Sequence, residues 1–265
     1  MAVHGDDFTL CGLKSDLVKV QGWMKEWFEI TVRAVLGDDY DDQKEVSILG
    51  RLVKWTDSGF EYEADPKHRK ILMDYFALEE NSRGASNNGD KEDKVEEWKS
   101  EELTPAQVTE FRGLAARLNF LSQDSPDLQF PIKQCCRDMA NPKMGSFAGL
   151  KKIARYLVER KRVVWKFEWQ DECGYAYLAT DSDWGGNVND RRSSSGGVWM
   201  LGGHCIKTWS ATQGAVALSS AEAVFYAMIE GVTRAKGLLS LAKELGFVNV
   251  SHVCLLYTSP SPRDS

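Results

Sequence analysis

The stretch that most constrains this chain runs from Tyr175 to Gly197, where an apolar run stops at Asp181-Ser182-Asp183 and turns through Trp184-Gly185-Gly186. Apolar runs separated by a cluster of Asp, Gly, Asn and Ser read as strands joined by a loop. Gly197 to Leu201 and Cys205 to Trp209 follow as a hairpin around Gly202-Gly203. Ser219 then opens a long helix to about Leu245, closed by Gly246, and Val248 to Val253 begins one more strand. Strands, helix and strand in that order predict a mixed sheet with a helix packed on it, so the fold class is α/β.

The same stretch carries carboxylates where chemistry can use them. Asp181 ends a strand and Glu222 lies in the first turn of the following helix. Two divalent ions about 3.5–4 Å apart need several carboxylates converging from different elements. A plainer reading stands beside this one: Ser219-x-x-Glu222 is a capping box, and Asp181 and Asp183 are ordinary Asp-turn residues. Asp6 and Asp7 form a second pair, at the expected hairpin tip of MAVHGDDFTLCG. Adjacent carboxylates repel unless a cation neutralises them, and a solvated turn explains them equally. Asp38, Asp39, Asp41 and Asp42 lack the Gly and the terminal Glu of a calcium loop and read as a solvated loop.

Other elements follow from capping and periodicity. A helix is expected from Ser15 through Trp27, then strands at Ile30 to Leu36, Val46 to Trp55 and Phe60 to Glu63, and a helix from Asp65-Pro66. Asn81 to Glu102 reads as a charged linker. Thr104-Pro105-Ala106-Gln107 is a capping box that opens the first of three helices, the others running from Pro126 to Met139 and from Ser146 onward. A strand at Val164 to Trp169 returns the chain to β-structure. Trp165, Trp169, Trp184, Trp199 and Trp209 cluster there, which favours core packing over base stacking.

Composition narrows the class. With 265 residues, 43% of them hydrophobic and 27% charged, the chain can build a core without staples. Its six cysteines form no CxxC pair, and no run reaches the roughly 18 apolar residues of a membrane span, so the expectation is a soluble protein of the cytoplasm or nucleus with no membrane partner. The net charge of −6 opposes a general attraction for nucleic acid, but KKIARYLVERKRVVWK is locally basic. Lys151, Lys152 and Arg155 share the outer side of its helix, either as a nucleic-acid contact or as a wet face.

Taken in order, these motifs resemble the Pol polyprotein of Ty1/copia-type LTR retrotransposons, across the end of reverse transcriptase and the start of ribonuclease H. VHGDDFTLCG is similar to the polymerase Asp-Asp box and SILGRLVKW to the segment after it. SPDLQFPIKQCCRDMANPKMGSFAGLKKIARYL resembles thumb and connection helices, and ATDSDWGGNVNDRRSSSGGVWMLGGHCIKTWSATQGAVALSSAEAVFYA resembles the ribonuclease H opening. The resemblance implies a palm remnant at 1–80, a linker at 81–102, a helical connection at 103–162 and a ribonuclease H-like domain at 163–253. It implies Asp6 and Asp7 as polymerase metal ligands, Asp181 and Glu222 as nuclease ligands with Asp183 the lesser alternative, Mg2+ or Mn2+ as cofactor, and RNA, DNA and RNA–DNA hybrid as partners. The terminal CLLYTSPSPRDS resembles a translated sequencing-library adapter, which makes 254–265 an expected artefactual tail and Val253 the expected last biological residue. A third nuclease carboxylate is expected on the strand that Val248 begins, where that tail stands. Each site then holds about half its ligands, and the chain is expected to be inactive alone. The alternative is a non-catalytic nucleic-acid-binding remnant. The oligomeric state is left open.

Overall fold

The computed structural model describes residues 1–86, 97–171, 175–187, 189–246 and 252–257. The middle of the expected linker, the start of the strand expected at Val248 and the tail after Tyr257 lie outside the described residues. The fold is α/β, as the sequence predicts, and the chain divides into two compact units, Met1–Val46 and Ser47–Ser265.

In the first unit, β1 (Ala2–His4) and β2 (Asp7–Thr9) make an antiparallel hairpin with His4 opposite Asp7. The turn is Gly5-Asp6, and Gly5 adopts φ 59°, a left-handed conformation that glycine takes without steric cost. Helix α1 (Lys14–Trp27) follows and contains no buried residue. The strand expected at Ile30 to Leu36 is not formed: Leu36 makes one isolated bridge to Gln43. β-Branched residues favour a strand only where a neighbour offers a ladder, and the described residues of this unit offer that one bridge. The acidic loop is more than solvated. Lys14 lies between Asp39 and Asp42, and its hydrogen bond and charge hold the Asp39 carboxyl below its ordinary pKa.

Strand β3 (Glu45–Ile48) crosses the boundary between the units. The single strand expected over Val46 to Trp55 breaks at Leu49-Gly50, both at positive φ (50° and 72°). Beyond the turn, β4 (Arg51–Thr56) pairs antiparallel with β5 (Gly59–Ala64), and β5 pairs antiparallel with β6 (Trp165–Glu168). Strand β6 therefore pairs with an early strand, although in sequence it precedes the later ones.

Helices α2 (Lys67–Tyr75), α3 (Pro105–Ser122), α4 (Pro126–Arg137) and α5 (Met144–Glu159) enclose the larger core. The capping box at α3 forms as expected: Thr104 Oγ1 accepts from the Gln107 backbone N–H at 3.3 Å, and Gln107 Oε1 accepts from the Thr104 N–H at 2.9 Å. Leu72, Phe111, Leu118, Ile132, Leu150 and Ile153 are buried almost completely, each stabilising the fold by roughly 1.5–3 kcal/mol relative to exposure. Asp124, just past α3, joins this bundle to the strands. Its carboxylate accepts from Arg51 Nε on β4 (3.1 and 3.2 Å) and from the Tyr62 hydroxyl on β5 (2.6 Å), while its carbonyl accepts from Trp165 Nε1 on β6 (2.7 Å). Burial and the neighbouring carboxylate both raise the Tyr62 pKa, which keeps the phenol a donor.

The remaining sheet positions the candidate site. It comprises β7 (Tyr175–Ser182), β8 (Ser194–Leu201), β9 (His204–Thr212) and β10 (His252–Tyr257), in the order β10-β7-β8-β9. Strands β7, β8 and β9 pair antiparallel, whereas β10 lies parallel to β7 with Tyr257 opposite Thr180. Strand β10 thus takes in Cys254 to Tyr257, residues expected to follow the fold rather than join it. Helix α6 (Ser220–Glu244) packs on the sheet through Ala223, Ala227, Gly231 and Ala235, small residues recurring every four positions and all buried. A Cβ at Gly231 would come within 2.4 Å of Thr180 Cγ2, so the approach of α6 to β7 requires glycine there. A Cβ at Gly197 would meet the Trp209 ring at 2.1 Å. Trp199 and Trp209 are core residues, as expected, but Trp169 is 55% exposed.

Helix α4 holds this sheet by one polar face. Gln129 Nε2 donates to Thr208 Oγ1 on β9 (2.9 Å), Lys133 Nζ to Ser194 Oγ on β8 (2.6 Å), and Arg137 Nη2 to Asp190 (2.8 Å) in the β7–β8 loop. Four-residue spacing puts all three on the same side of the helix.

Two predictions follow from these polar contacts. Asp124→Ala leaves Arg51 and Tyr62 without their carboxylate and should cost about 3 kcal/mol, read from urea unfolding, with Arg51→Met in the same background recovering part of the loss. Burial lowers the Lys133 pKa to about 8, against the opposing pull of Asp183 and Glu230. Unfolded, Lys133 stays protonated to about pH 10.4, so between these values the unfolded state holds one proton more and stability rises with pH. The wild type should therefore gain stability relative to Lys133→Met between pH 8 and pH 10; parallel urea midpoints across that window would show the ammonium to be unperturbed.

Candidate functional site

At one edge of the sheet layer, Asp181 stands near the end of β7 and Glu222 in the first turn of α6. Asp181 is exposed, paired through its backbone with Gly196 on β8. Asp183 is committed to the turn: its carboxylate accepts from the Ser194 N–H, and its own N–H donates to the Ser194 carbonyl at 3.2 Å. Of the two aspartates, Asp181 is the one whose carboxylate forms no hydrogen bond among the described residues.

The capping box expected at Ser219-x-x-Glu222 forms by half: Ser219 caps the helix, but the Glu222 side chain does not bond the Ser219 N–H. Ser219 Oγ accepts from the Glu222 N–H at 3.1 Å, Glu222 Oε2 accepts from the Leu218 N–H at 2.7 Å, and the Tyr226 hydroxyl donates to Oε1 at 2.7 Å. The Tyr226 hydroxyl and then the Leu218 N–H hold the Glu222 carboxyl below its ordinary pKa, and Glu222 in turn raises that of Tyr226. Among the described residues, Asp181 and Glu222 share no hydrogen bond, and Asp181 is not among the groups that shift Glu222.

The edge is held by contacts that motif reasoning did not anticipate. The indole N–H of Trp184 donates to the Ala217 carbonyl at 3.1 Å, tying the turn after Asp181 to the segment before Glu222. Gln213, buried at the end of β9, donates through Nε2 to Ser195 Oγ (3.0 Å) and to the Ala223 carbonyl (2.8 Å), while its backbone N–H meets the Ser193 carbonyl at 2.8 Å. One amide therefore bridges β8 and α6 within a residue of Glu222. Each contact pairs residues far apart in sequence. A Gln in an otherwise small-residue run, and a Trp placed between an Asp turn and two glycines, are the only signals the sequence offers.

The other expected site residues have their own surroundings. Asp6 is exposed in the hairpin turn of the first unit, and Asp7 forms an ion pair with Arg33 at 3.2 Å. On α5, Lys151 is exposed, Lys152 is half-buried, and Arg155 Nε donates to the Arg83 carbonyl at 3.2 Å. Among the described residues, no group of three or more His, Cys, Asp or Glu side chains is placed to hold a metal ion. Both oxygens of Glu222 accept hydrogen bonds, from the Leu218 N–H before the helix and from the Tyr226 hydroxyl within it. Among the described residues, Asp181 and Glu222 are thus not gathered into a two-ion centre.

No protein-family model matches the chain. It is 29% identical over 150 residues to the retrovirus-related Pol polyprotein from transposon RE2 of Arabidopsis thaliana, a match covering 56% of this chain and 10% of that protein. It is 33% identical over 112 residues to secreted RxLR effector protein 161 of Plasmopara viticola, covering 42% of this chain and 77% of that protein. A solved structure of the foamy viral protease-reverse transcriptase in complex with double-stranded DNA aligns with 83% of this chain and 39% of its own at a TM-score of 0.47 and 12% identity. The chain spans about a tenth of the transposon polyprotein it matches. Its homologues include retrovirus-related Pol polyproteins from Arabidopsis thaliana transposons, at about 30% identity over about half of this chain.

Proposed function

We propose that the chain is the Ty1/copia-type Pol segment joining the end of reverse transcriptase to the start of ribonuclease H, and that it binds nucleic acid without cutting it. The parent activity is DNA synthesis on an RNA template with hydrolysis of the RNA strand of the hybrid, supported by Mg2+ or Mn2+. Such ions supply Lewis-acid clamping of the attacking and leaving oxygens. No step is assigned to them in this chain, because its carboxylates do not gather.

The observation that carries this reading is the state of Glu222. A nuclease carboxylate must be free to meet a cation beside Asp181, yet both oxygens of Glu222 accept hydrogen bonds from its own helix and from the residue before its cap. That leaves the edge able to contact a polynucleotide but poorly disposed to hydrolyse one. The foamy viral structure is a complex with double-stranded DNA, which supports nucleic acid as the partner class. Local basic charge on α5, led by exposed Lys151, supplies the attraction that the net charge of −6 withholds.

The purified chain should bind a labelled RNA–DNA hybrid with an affinity that falls steeply with salt, and Lys151→Ala should lower the slope of log K against log salt by about one unit. No RNA cleavage should appear with Mg2+ or Mn2+, and Asp181→Asn should leave binding unchanged. Metal-dependent cleavage that disappears in Asp181→Asn would refute the non-cutting part of the reading. Glu222→Ala should lower the thermal-unfolding midpoint, because the Leu218 N–H and the Tyr226 hydroxyl lose their acceptor.

A further inference from the structure

The loop between β7 and β8 holds an exposed indole face, whose N–H alone serves the carboxylate edge, and two guanidinium groups that the core does not use. Trp184 is 52% exposed, whereas Trp199 and Trp209 of the same sheet are 2% and 7% exposed. Its polar end is fixed by the Ala217 carbonyl, so the indole cannot swing freely, and the exposed ring surface is held at the lip beside Asp181. The loop behind it is cross-braced. The Gly185 N–H donates to Ser193 Oγ at 3.0 Å, the Arg191 N–H to the Asn187 carbonyl at 2.8 Å, and the Asn187 N–H to the Arg192 carbonyl at 3.2 Å. From outside the loop, Arg137 on α4 pins Asp190.

Arg191 adopts φ 56°, a left-handed conformation uncommon for a residue with a side chain and concentrated at functional sites. This backbone folds its guanidinium back over Gly185, where a Cβ would come within 2.9 Å of Arg191 Nη2. The residue next to Trp184 is thus a glycine that lets the cation lie beside it. Arg191 and Arg192 are exposed, and neither forms an ion pair among the described residues. Asp190, the nearest acid in the loop, is already paired with Arg137 and accepts from the Arg192 N–H at 3.0 Å. A flat exposed ring, two adjacent guanidiniums with open donors and a braced backbone match a sugar-phosphate chain with an accessible base.

We infer that Trp184, Arg191 and Arg192 form a polynucleotide-binding lip, the indole stacking on a base or sugar while the two guanidiniums take phosphate oxygens of the same strand. This rests on the nucleic-acid reading above and adds the residues that carry it. The backbone hydrogen bonds around Arg191 and Arg192 reduce the main-chain ordering that binding requires.

The test is fluorescence anisotropy of the full chain with a labelled RNA–DNA hybrid and, separately, with each of its strands alone. Trp184→Ala should weaken binding about ten-fold, and Trp184→Phe, which keeps a ring but loses the indole N–H, should stay within about three-fold of wild type. Arg191→Ala and Arg192→Ala should each lower the salt slope by about one unit, and Arg191→Lys should preserve it. Loss on the single strand as well as the hybrid identifies an accessible base as the stacked group, and loss on the hybrid alone identifies a backbone sugar. Equal loss in Trp184→Ala and Trp184→Phe would overturn the inference in favour of a bracing role for the indole N–H. Wild-type binding that survives all of these changes overturns the inference but not the nucleic-acid reading, and a wild-type chain that binds neither ligand overturns both.

Discussion

The close seating of α6 on β7 is the constraint on which the rest of the site depends. Four small residues at a spacing of four let the helix axis approach the sheet, with Gly231 directly over Thr180. That contact sets how far Glu222, two turns earlier, stands from the end of β7. Larger side chains along this ridge would lift the helix and carry the first turn away from the strand, because a packed core answers added volume with displacement. Gln213 and Trp184 then fix the helix end that the ridge has brought near. Apolar packing sets the distance, and two polar contacts set the orientation.

Polar contacts also govern how the helical bundle meets the strands of the larger unit. Asp124 collects donors from three strands at the end of α3, and α4 presents Gln129, Lys133 and Arg137 to the sheet that carries Asp181. Such contacts contribute modestly when intact and cost several kcal/mol when half is removed, so they specify an arrangement more than they stabilise it. Apolar surfaces slide past one another more readily than a buried carboxylate changes its partners. The sheet edge therefore inherits its placement from a bundle core that contributes no side chain to the edge itself.

Local order was legible in the sequence where local chemistry decides it. The Thr104 box formed as its spacing required; at Ser219 only the serine half of the expected box formed, because Glu222 reaches past the N-cap to the Leu218 N–H. What escaped was pairing over long separations. Ile30 to Leu36 has strand composition without a ladder, β6 pairs with β5 about a hundred residues earlier, and Leu49-Gly50 breaks what reads as one strand. For the candidate site, the pattern located Asp181 and Glu222 and offered two uses for each. Burial and hydrogen bonding separate those uses: Asp183 and Glu222 serve backbone N–H groups, and Asp181 does not. The Trp184 strap was illegible because its acceptor is a backbone carbonyl, a group every residue possesses.

The first unit has a different consequence. Its hairpin has three residues per strand and its helix α1 half-buries Leu17, Val20 and Met24 without fully burying any residue, leaving Trp23 and Trp27 to solvent. A two-stranded ribbon and a helix with no fully buried residue lie near the bottom of the range of local opening free energies. Any ligand of Asp6 and Asp7 must then select the closed form from an ensemble, and its apparent affinity is scaled by the closed fraction. A hairpin closed about one-tenth of the time binds about ten-fold more weakly than its contacts alone would allow, with no ligand atom changed. For that aspartate pair, the affinity for any ligand would be the intrinsic affinity of the carboxylates multiplied by the closed fraction of the unit.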